Sequence, residues 1–481
     1  MVNKKRLNKT TFLSFLITFV ILFSFNNTST DIQIPIAPEK QSLETILERG
    51  KLIAVTDLNS TSYFVYRGEP RGYQFDLLHS FAEHLGVELE IHVNSDPEET
   101  IKELNAGTYD LIAKRVVITN QRRDMVAFSE PMLQTRLMLV QRKPENWRKL
   151  RTWDEVEKKL IRNPLDLEGK TVYIQNNSAY AERLANLQEE TGVKINVVSV
   201  NDLSTEDLIT MVARNEIEFT ISDEQTASVN AKYYNDIDTK TPLGFSQNIG
   251  WAMKRGDKDL MYAVNTWWAE FSKTSYASLL YDRYFNNPLG LRADQREFHS
   301  RKGGRISSYD EVIKKHSKSI NWDWRLLASL IYQESKFQHE IVSHKGAFGI
   351  MQMMPSTAEE LGIDSTSTAY EQIAAGVHYI KWLEKQMPLE ISDPAERQKF
   401  VLAAYNAGLA HVFDARRLAA KNNKDPNIWD GNVDFYLRNK SKPEYYRDEV
   451  VQYGYCYGEE SYRFVNDILS RFNHYKAAIQ N

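Results

Sequence analysis

One glutamate stands out among the residues that could do chemistry, because it lies on the apolar face of a predicted helix. Trp324, Leu327, Ile331 and Glu334 follow at steps of three, four and three residues, which places them on one side of a helix. Burial there would raise the pKa of the carboxyl and keep it protonated near neutral pH. A general acid that protonates a glycosidic oxygen needs that property. From periodicity alone, a glutamate that points to solvent or caps a neighbouring element is the alternative interpretation.

Glycines and polar residues interrupt the apolar runs that follow this helix. Gly346 and Gly349 allow tight backbone turns beside a substrate, where a side chain would obstruct. Gln352, Tyr405 and Asn406 need hydrogen-bond partners if they are buried. Sugar hydroxyls or the catalytic candidate's own carboxyl would serve as those partners.

The segments that contain these residues resemble the catalytic signature of the soluble lytic transglycosylase family. They are ESKF at 334–337, SHKGAFGIMQMMPSTA at 343–358, AAYNAG at 403–408 and EESYRFVNDI at 459–468. The resemblance covers roughly residues 306–475 and implies an all-α, lysozyme-like fold of the goose type. It implies a catalytic role for Glu334 and substrate contacts from eight further residues: Ser343, Gly346, Gly349, Met351, Gln352, Tyr405, Asn406 and Tyr462. For Met351, a plain core position is the alternative interpretation.

The resemblance also implies a reaction, the cleavage of the MurNAc-β-1,4-GlcNAc bond of peptidoglycan without net hydrolysis. One glutamate protonates the leaving oxygen and then accepts the proton of the C6 hydroxyl, which closes a 1,6-anhydro ring. Ordinary glycosidases use two carboxylates, and we expect no second acid within the matched motifs. Asp393 and Glu371 stay open as acids outside those motifs. We expect no cofactor and no metal, because the histidines are scattered and Cys456 is the single cysteine.

Residues 42–290 have a different rhythm, in which short strand-like runs alternate with helical stretches. We predict strands at 51–56, 87–93, 110–113, 170–175, 194–200 and 218–222, and helices at 75–85, 99–105, 179–191 and about 208–215. This alternation predicts an α/β domain with a mainly parallel sheet. Because the rhythm runs through twice, we expect two lobes with a cleft between them.

Four segments of this region resemble the family 3 bacterial solute-binding proteins. They are GTYDLIA at 107–113, ITNQRRDMVAFSEP at 118–131, QNIGWAMK at 247–254 and DLMYAVN at 259–265. The resemblance implies a two-lobed, periplasmic-binding-protein-like fold. Arg122 would then grip the carboxylate of a small amino-acid or muropeptide ligand, and Asp223 would bind its amino group. A surface arginine and a strand-end aspartate are the alternative interpretation.

One departure from that family concerns residues 114–117. Lys114-Arg-Val-Val117 replaces the small glycine and hydroxyl residues that the family places before its Ile-Thr pair. We therefore expect an altered amino-acid pocket or one closed by long side chains.

Length and charge limit the other possibilities. A chain of 481 residues is long enough for two folded domains, and a net charge of −4 argues against a dedicated nucleic-acid binder. A basic start and an apolar run at 12–25 are typical of a secretory signal or a retained N-terminal anchor. We divide the chain into a signal or anchor at 1–30, linkers at 31–41 and 291–305, the solute-binding-like domain at 42–290 and the catalytic domain at 306–481.

The order of signal, solute-binding domain and transglycosylase domain resembles one group of membrane-bound lytic transglycosylases. That resemblance implies a periplasmic enzyme that associates peripherally with the outer membrane and acts on peptidoglycan glycan strands. A periplasmic receptor for solutes or muropeptides, with a non-catalytic glycan-binding domain, is the main alternative. A true lysozyme that releases reducing ends is the third hypothesis.

Overall fold

The computed structural model describes residues 42–286 and 305–479, apart from residues 95, 115–117, 119, 177–178 and 202. The predicted signal or anchor, the 31–41 linker and nearly all of the 291–305 linker lie outside this part. None of the helices in the described part combines the length and the apolar character that crossing a bilayer requires.

The first domain contains all the strands of the described chain. They are β1 (Lys51–Thr56), β2 (Phe64–Tyr66), β3 (Glu69–Arg71), β4 (Glu88–Val93), β5 (Leu111–Ile112), β6 (Ala127–Phe128), β7 (Leu133–Thr135), β8 (Leu137–Arg142), β9 (Thr171–Gln175), β10 (Asn196–Val200), β11 (Phe219–Asp223), β12 (Ile237–Pro242), β13 (Gln247–Ile249) and β14 (Ala252–Met253). Its helices are α1 (Ser42–Arg49), α2 (Tyr73–Leu85), α3 (Pro97–Ala106), α4 (Asn120–Arg123), α5 (Trp153–Glu157), α6 (Ala179–Thr191), α7 (Thr205–Ala213), α8 (Glu224–Tyr233), α9 (Lys258–Phe271) and α10 (Ser275–Tyr281).

These strands form two separate five-stranded sheets, one in each lobe. The order is β4-β1-β5-β14-β6 in the first lobe and β10-β9-β11-β8-β12 in the second. The predicted strands pair in parallel, whereas β14 and β8 pair antiparallel with their neighbours. The expectation of a mainly parallel sheet is therefore only half right, because each sheet also contains an antiparallel strand, β14 in the first lobe and β8 in the second. The two crossings between the lobes, β7 and β13, pair as an antiparallel ribbon.

Local signals explain where these helices begin and end. Helix α2 ends at Gly86, whose φ of 70° is left-handed and favours glycine. Helix α3 begins after Asp96, whose side chain accepts hydrogen bonds from the amides of Glu98 and Glu99. Pro97 then occupies the first turn, where its missing amide hydrogen costs nothing.

The regular elements in the described part of the second domain are helices, as predicted, apart from two isolated β-bridges at Phe348. Its helices are α11 (Asp310–Ser317), α12 (Trp324–Ser335), α13 (Pro355–Glu360), α14 (Ala369–Gln386), α15 (Pro394–Ala407), α16 (Leu409–Lys421), α17 (Asp434–Asn439), α18 (Pro443–Tyr446) and α19 (Gly458–Ala478). Helix α12 begins at the cap residue Asp323, whose carboxylate accepts a hydrogen bond from the Arg325 amide. It lies in the middle of the domain and packs against α11 and the long α19.

The hairpin of β2 and β3 joins the first lobe to the helical domain. The Tyr332 hydroxyl of α12 donates to Glu69 Oε1 at 2.6 Å, and the Tyr475 hydroxyl of α19 donates to the Gly68 carbonyl at 2.9 Å. A Cβ atom at Gly68 would lie 2.5 Å from the Tyr332 ring, so only glycine allows this approach. The hydrophobic core is continuous across this contact.

Candidate active site

Glu334 lies near the end of α12 and lines a cavity. Its side chain is mostly but not fully buried, and within the described chain no hydrogen bond or ion pair from another residue reaches its carboxylate. Burial removes water from the carboxylate and raises the pKa of Glu334 to about 8, far above its usual value near 4.5. The site therefore holds a carboxylic acid that keeps its proton at neutral pH.

The cavity at Glu334 has a volume of about 400 Å³ and opens between three helices. Its lining residues come from α12, from the end of α15, and from the start of α19 with the residue before it: Gln333, Glu334, Asn406, Tyr457, Glu459, Glu460, Arg463, Phe464 and Asp467. The sequence did not identify most of these α19 residues as site residues, because their pattern is that of the solvent-exposed face of an amphipathic helix. Only the crossing of α19 over α12 brings them to Glu334.

Three of the lining residues are further carboxylates, which corrects the expectation that the matched motifs hold no second acid. Glu459 is paired with Arg438 at 2.6 Å and with Arg463 at 2.9 Å, and the hydrogen bond from Arg438 lowers its pKa. Asp467 accepts a hydrogen bond from Gln333 at 3.3 Å. Glu460 is exposed at the cavity wall.

The two acids that the sequence left open outside the motifs both cap helices. The Asp393 carboxylate accepts hydrogen bonds from the amides of Ala395 and Glu396 at the start of α15. Glu371 forms a reciprocal capping box with Thr368 at the start of α14. These contacts show that both residues act as helix caps.

The glycine-rich loop after α12 is held by its own hydrogen bonds. The Ser343 hydroxyl accepts from the Ala347 amide at 3.0 Å, and the Ser343 carbonyl accepts from the Gly346 amide at 2.9 Å. Gly346 and Gly349 have φ values of 86° and 80°. Gln352 also has a positive φ, 45°, and its side-chain amide donates to the Gly349 carbonyl at 2.8 Å. A non-glycine residue in this conformation is strained, and such strain often accompanies a binding site.

Met351 and Tyr405 connect this loop to α15. Met351 is fully buried, and its carbonyl accepts a hydrogen bond from the Tyr405 hydroxyl at 2.7 Å. Burial, followed by the negative charge of Glu334, raises the pKa of Tyr405 well above its usual value. The Met351 side chain is thus part of the core, as the alternative interpretation held, while the Met351 carbonyl positions Tyr405 beside Glu334.

Asn406 and Tyr462 take different positions relative to the cavity. The Asn406 amide lines the cavity, and its Oδ1 accepts a hydrogen bond from the Ser461 hydroxyl at 2.6 Å. Tyr462 packs beneath the guanidinium of Arg438 at 4.9 Å and is absent from the lining of this cavity. A substrate contact from Tyr462 stays a prediction.

The two predicted ligand-binding residues of the first domain lie in opposite lobes. Arg122 is on α4 in the first lobe, where burial lowers the pKa of its guanidinium and the negative charge of Glu182, on α6 in the second lobe, raises it. Asp223 caps α8 through a 2.9 Å hydrogen bond from the Thr226 amide. A hydrogen bond connects the two lobes, because the Ser60 hydroxyl of the first lobe donates to the Glu206 carboxylate of the second at 2.5 Å.

Lys114 is the one described residue of the segment that departs from the binding-protein pattern. Its ammonium group is buried and donates to the Asn94 carbonyl at 2.5 Å and to the Thr100 hydroxyl at 2.8 Å. It therefore ties β4 to α3. Residues 115–117 lie outside the described part of the chain.

No group of histidine, cysteine, aspartate and glutamate side chains within the described part of the chain is arranged to hold a metal ion. Fold and site together define a protein with a two-lobed binding-protein-like domain and a helical domain that presents one protonated glutamate. Residues 52–287 match the model of the bacterial extracellular solute-binding proteins, family 3, and residues 311–428 match that of the transglycosylase SLT domain.

Whole-length relatives agree with both domain matches. The chain is 33% identical to membrane-bound lytic murein transglycosylase F of Desulfosudis oleivorans, over 90% of this chain and 91% of the relative. It is 30% identical to the protein of that name from Pseudomonas fluorescens, over 89% and 86% of the two chains. The solved structure of an ArgBP mutant from T. maritima is 24% identical and covers 51% of this chain and 99% of its own, with a TM-score of 0.42. The chain belongs to the membrane-bound lytic murein transglycosylase F family, and with it to the lytic transglycosylase enzymes.

Proposed function

We propose that the helical domain cleaves the MurNAc-β-1,4-GlcNAc bond of peptidoglycan and leaves a 1,6-anhydro-MurNAc end, with Glu334 as the only general acid and base. One observation carries this proposal. A carboxyl group with a pKa of about 8 lines a cavity beside polar groups of α15 and α19. Such a group can deliver a proton to a leaving oxygen at neutral pH.

The reaction then needs no water. Glu334 gives its proton to the glycosidic oxygen, and the bond between that oxygen and C1 breaks. The resulting carboxylate takes the proton of the C6 hydroxyl, whose oxygen forms the new bond to C1. Glu334 ends protonated, as it began, and burial favours that state at both ends of the cycle.

Neighbouring residues support these steps by position. The Tyr405 hydroxyl already donates a hydrogen bond to the Met351 carbonyl, and this bond holds Tyr405 in place beside Glu334. The Asn406 side chain at the cavity retains amide hydrogens that can bind sugar oxygens.

Clearing of purified murein in a gel tests this assignment. Wild-type protein should clear the murein and Glu334→Gln should not, because glutamine matches the shape of glutamate but carries no transferable proton. Circular dichroism of the variant controls for folding. Substantial clearing by a folded Glu334→Gln variant would contradict the assignment. A wild-type protein that binds murein without clearing it would support the receptor with a non-catalytic glycan-binding domain.

Hydrolysis by a lysozyme-like route is the second candidate function, and the acids of α19 favour it. Glu460 and Asp467 line the same cavity as Glu334, and a second carboxylate near an acid is the arrangement that hydrolases use to activate water. Products with reducing MurNAc ends would support this candidate.

For the first domain, we propose a zwitterionic or peptidic ligand, with cell-wall peptide fragments as the favoured class. Arg122 offers a planar two-donor grip for a carboxylate, and Asp223 offers an acceptor for an ammonium group. The β7–β13 ribbon connects the two lobes, and the Ser60–Glu206 hydrogen bond is a contact between them that separation of the lobes would break. Closure on a ligand would regulate catalysis only if the ligand binds the two states with different affinity.

Calorimetric titration of the full chain with Glu334→Gln tests this second proposal without releasing new fragments. Muropeptides and free amino acids are the titrants, and Arg122→Ala should weaken binding. Unchanged affinity in Arg122→Ala would contradict the assigned grip.

The proposed location is the periplasm, with peripheral attachment to the outer membrane. The names of the relatives, which call them membrane-bound, support attachment to the envelope. Separation of the inner and outer membranes on a density gradient, followed by detection of the protein, tests this location.

A further inference from the structure

Three tyrosines at alternate positions just before α19 are exposed, and the last of them lines the cavity. Tyr453, Tyr455 and Tyr457 are 59%, 58% and 59% exposed, whereas Gly454 and Cys456 between them are half-buried. We call these three residues the tyrosine strip. Large exposed aromatic groups that lie together mark binding surfaces more often than isolated ones do.

One end of the strip belongs to the candidate active site. Tyr457 lines the cavity that contains Glu334 and directly precedes α19. Gly458 fixes that start, because a Cβ atom there would lie 1.7 Å from the Leu437 carbonyl of α17. Only glycine therefore lets α19 begin this close to α17, at the position that places Tyr457 in the cavity lining.

The backbone before the strip is anchored to a buried ion pair. The amides of Gln452 and Tyr453 donate to the Asp414 carboxylate at 2.8 Å and 3.0 Å. Asp414 is fully buried and pairs with the equally buried Lys440 at 2.5 Å. Burial acts to raise the pKa of Asp414, but the hydrogen bonds from Lys440 and from the two amides outweigh it and lower that pKa. This support pre-organises the segment while its rings stay in solvent.

A second tyrosine backs the middle of the strip. The ring of Tyr455 meets the edge of the half-buried Tyr446 ring at 5.8 Å and 75°. A ring held in this way has little rotational freedom to lose when a ligand stacks on it.

We infer that the tyrosine strip is a stacking surface for the glycan strand as it leaves the cavity, a site beyond the one where the bond is broken. This inference rests on the proposed cleavage of peptidoglycan. A polymer longer than the cavity must continue over one of its edges. Pyranose rings present apolar C–H faces that pack on aromatic rings, and the tyrosine hydroxyls remain available to sugar hydroxyls.

Binding of the full chain to insoluble murein tests the inference, with Glu334→Gln present to prevent cleavage. The added pair Tyr453→Ala and Tyr455→Ala should weaken binding on the order of tenfold, since two stacked rings are lost. The pair Tyr453→Phe and Tyr455→Phe keeps both rings and should retain most of the affinity. Tyr262→Ala removes a tyrosine that is 73% exposed on α9 of the first domain, and it should bind as the parent does.

Turnover of the otherwise wild-type chain supplies the second measurement. With the alanine pair, KM for long glycan strands should rise more than KM for a two-disaccharide fragment, because only a long strand reaches the strip. Equal binding by the alanine pair and its parent, or an equal loss for short and long substrates, would overturn the inference. So would a loss in the phenylalanine pair as large as in the alanine pair. Failure of the proposed function would appear separately, as absence of murein cleavage by the wild-type chain.

Discussion

The cavity at Glu334 and the contact between the two lobes differ in the surroundings of their charged groups. In the cavity, Glu334 is reached by no hydrogen bond from the described residues, and burial keeps it protonated. In the cleft, Glu206 is bonded across the lobes to Ser60, and the charge of Glu182 acts on Arg122. An acid that transfers protons must be able to lose and regain its charge, whereas groups that hold two lobes together gain from steady partners.

The largest expected effect separates Glu334 from the other carboxylates of the cavity. Glu334→Gln should lower kcat by about 100- to 10,000-fold, the usual contribution of a general acid. Glu460→Gln and Asp467→Asn should each lower it by less than about tenfold, because the proposed mechanism gives them no proton to transfer. Initial rates on purified murein measure both effects. A loss in either control as large as that in Glu334→Gln would show that the cavity uses two acids.

The second effect is the pH dependence that follows from burial of Glu334. Its protonated form should dominate below pH 8 and disappear above it, so kcat/KM should fall about tenfold per pH unit above that point. The folded state holds this proton more tightly than the unfolded chain, whose glutamates titrate near 4.5. The folded protein should therefore lose stability relative to Glu334→Gln as the pH rises from about 4.5 to about 8. A kcat/KM profile that breaks near pH 4.5 would contradict an effective desolvation of Glu334.

The third effect concerns the glycine-rich loop that follows α12. At Gly349 a Cβ atom would meet Gln372 Oε1 at 2.1 Å, and that oxygen already accepts the Ile350 amide. Gly349→Ala should cost about 2–4 kcal/mol of unfolding free energy, from the overlap and the left-handed backbone together. Gly346 has a similar φ but open space around it, so Gly346→Ala should cost only about 1 kcal/mol. Urea unfolding compares the two variants, and equal costs would show that the Gln372 contact is easily relieved.

The smallest expected effect concerns the interaction of Glu182 with Arg122 between the two lobes. If a ligand carboxylate competes with Glu182 for Arg122, Glu182→Gln should tighten binding by about two- to fivefold. Glu189→Gln removes the same charge from an exposed position on the same helix and serves as the matched control. Calorimetric titration with muropeptides measures both variants. Equal ligand affinities in the two variants would show that Glu182 does not compete with the ligand for Arg122.

The sequence predicts what depends on local periodicity and misses what depends on packing between distant elements. The apolar stripe of α12 marks Glu334 only together with the resemblance of the segments that follow it to a catalytic signature, whereas Gly86 alone is enough to end α2. In contrast, Gln372 lies 23 positions after Gly349, and nothing local indicates that its side chain fills the space beside that glycine. Contacts of this kind exist only once the chain has folded.

The wall formed by α19 shows the same limit from the side of function. Glu460 and Asp467 look like the solvated face of a helix, and they are indeed exposed. Their place at the cavity follows from the crossing of α19 over α12, which no spacing in the sequence encodes. The sequence also does not indicate the antiparallel return strands. Strand β14 has only two residues, too few to show a pattern, and the six residues of β8 are nearly all buried, so they show no alternation of apolar and polar side chains.

The central claim is that Glu334 serves a reaction in which the substrate's own C6 hydroxyl replaces water. Digestion of purified murein in water enriched in ¹⁸O, followed by mass spectrometry of the products, tests it most directly. We expect 1,6-anhydro-MurNAc ends that contain no ¹⁸O, formed by the wild-type chain and lost with Glu334→Gln. Reducing MurNAc ends that carry ¹⁸O at C1 as the main product would contradict it.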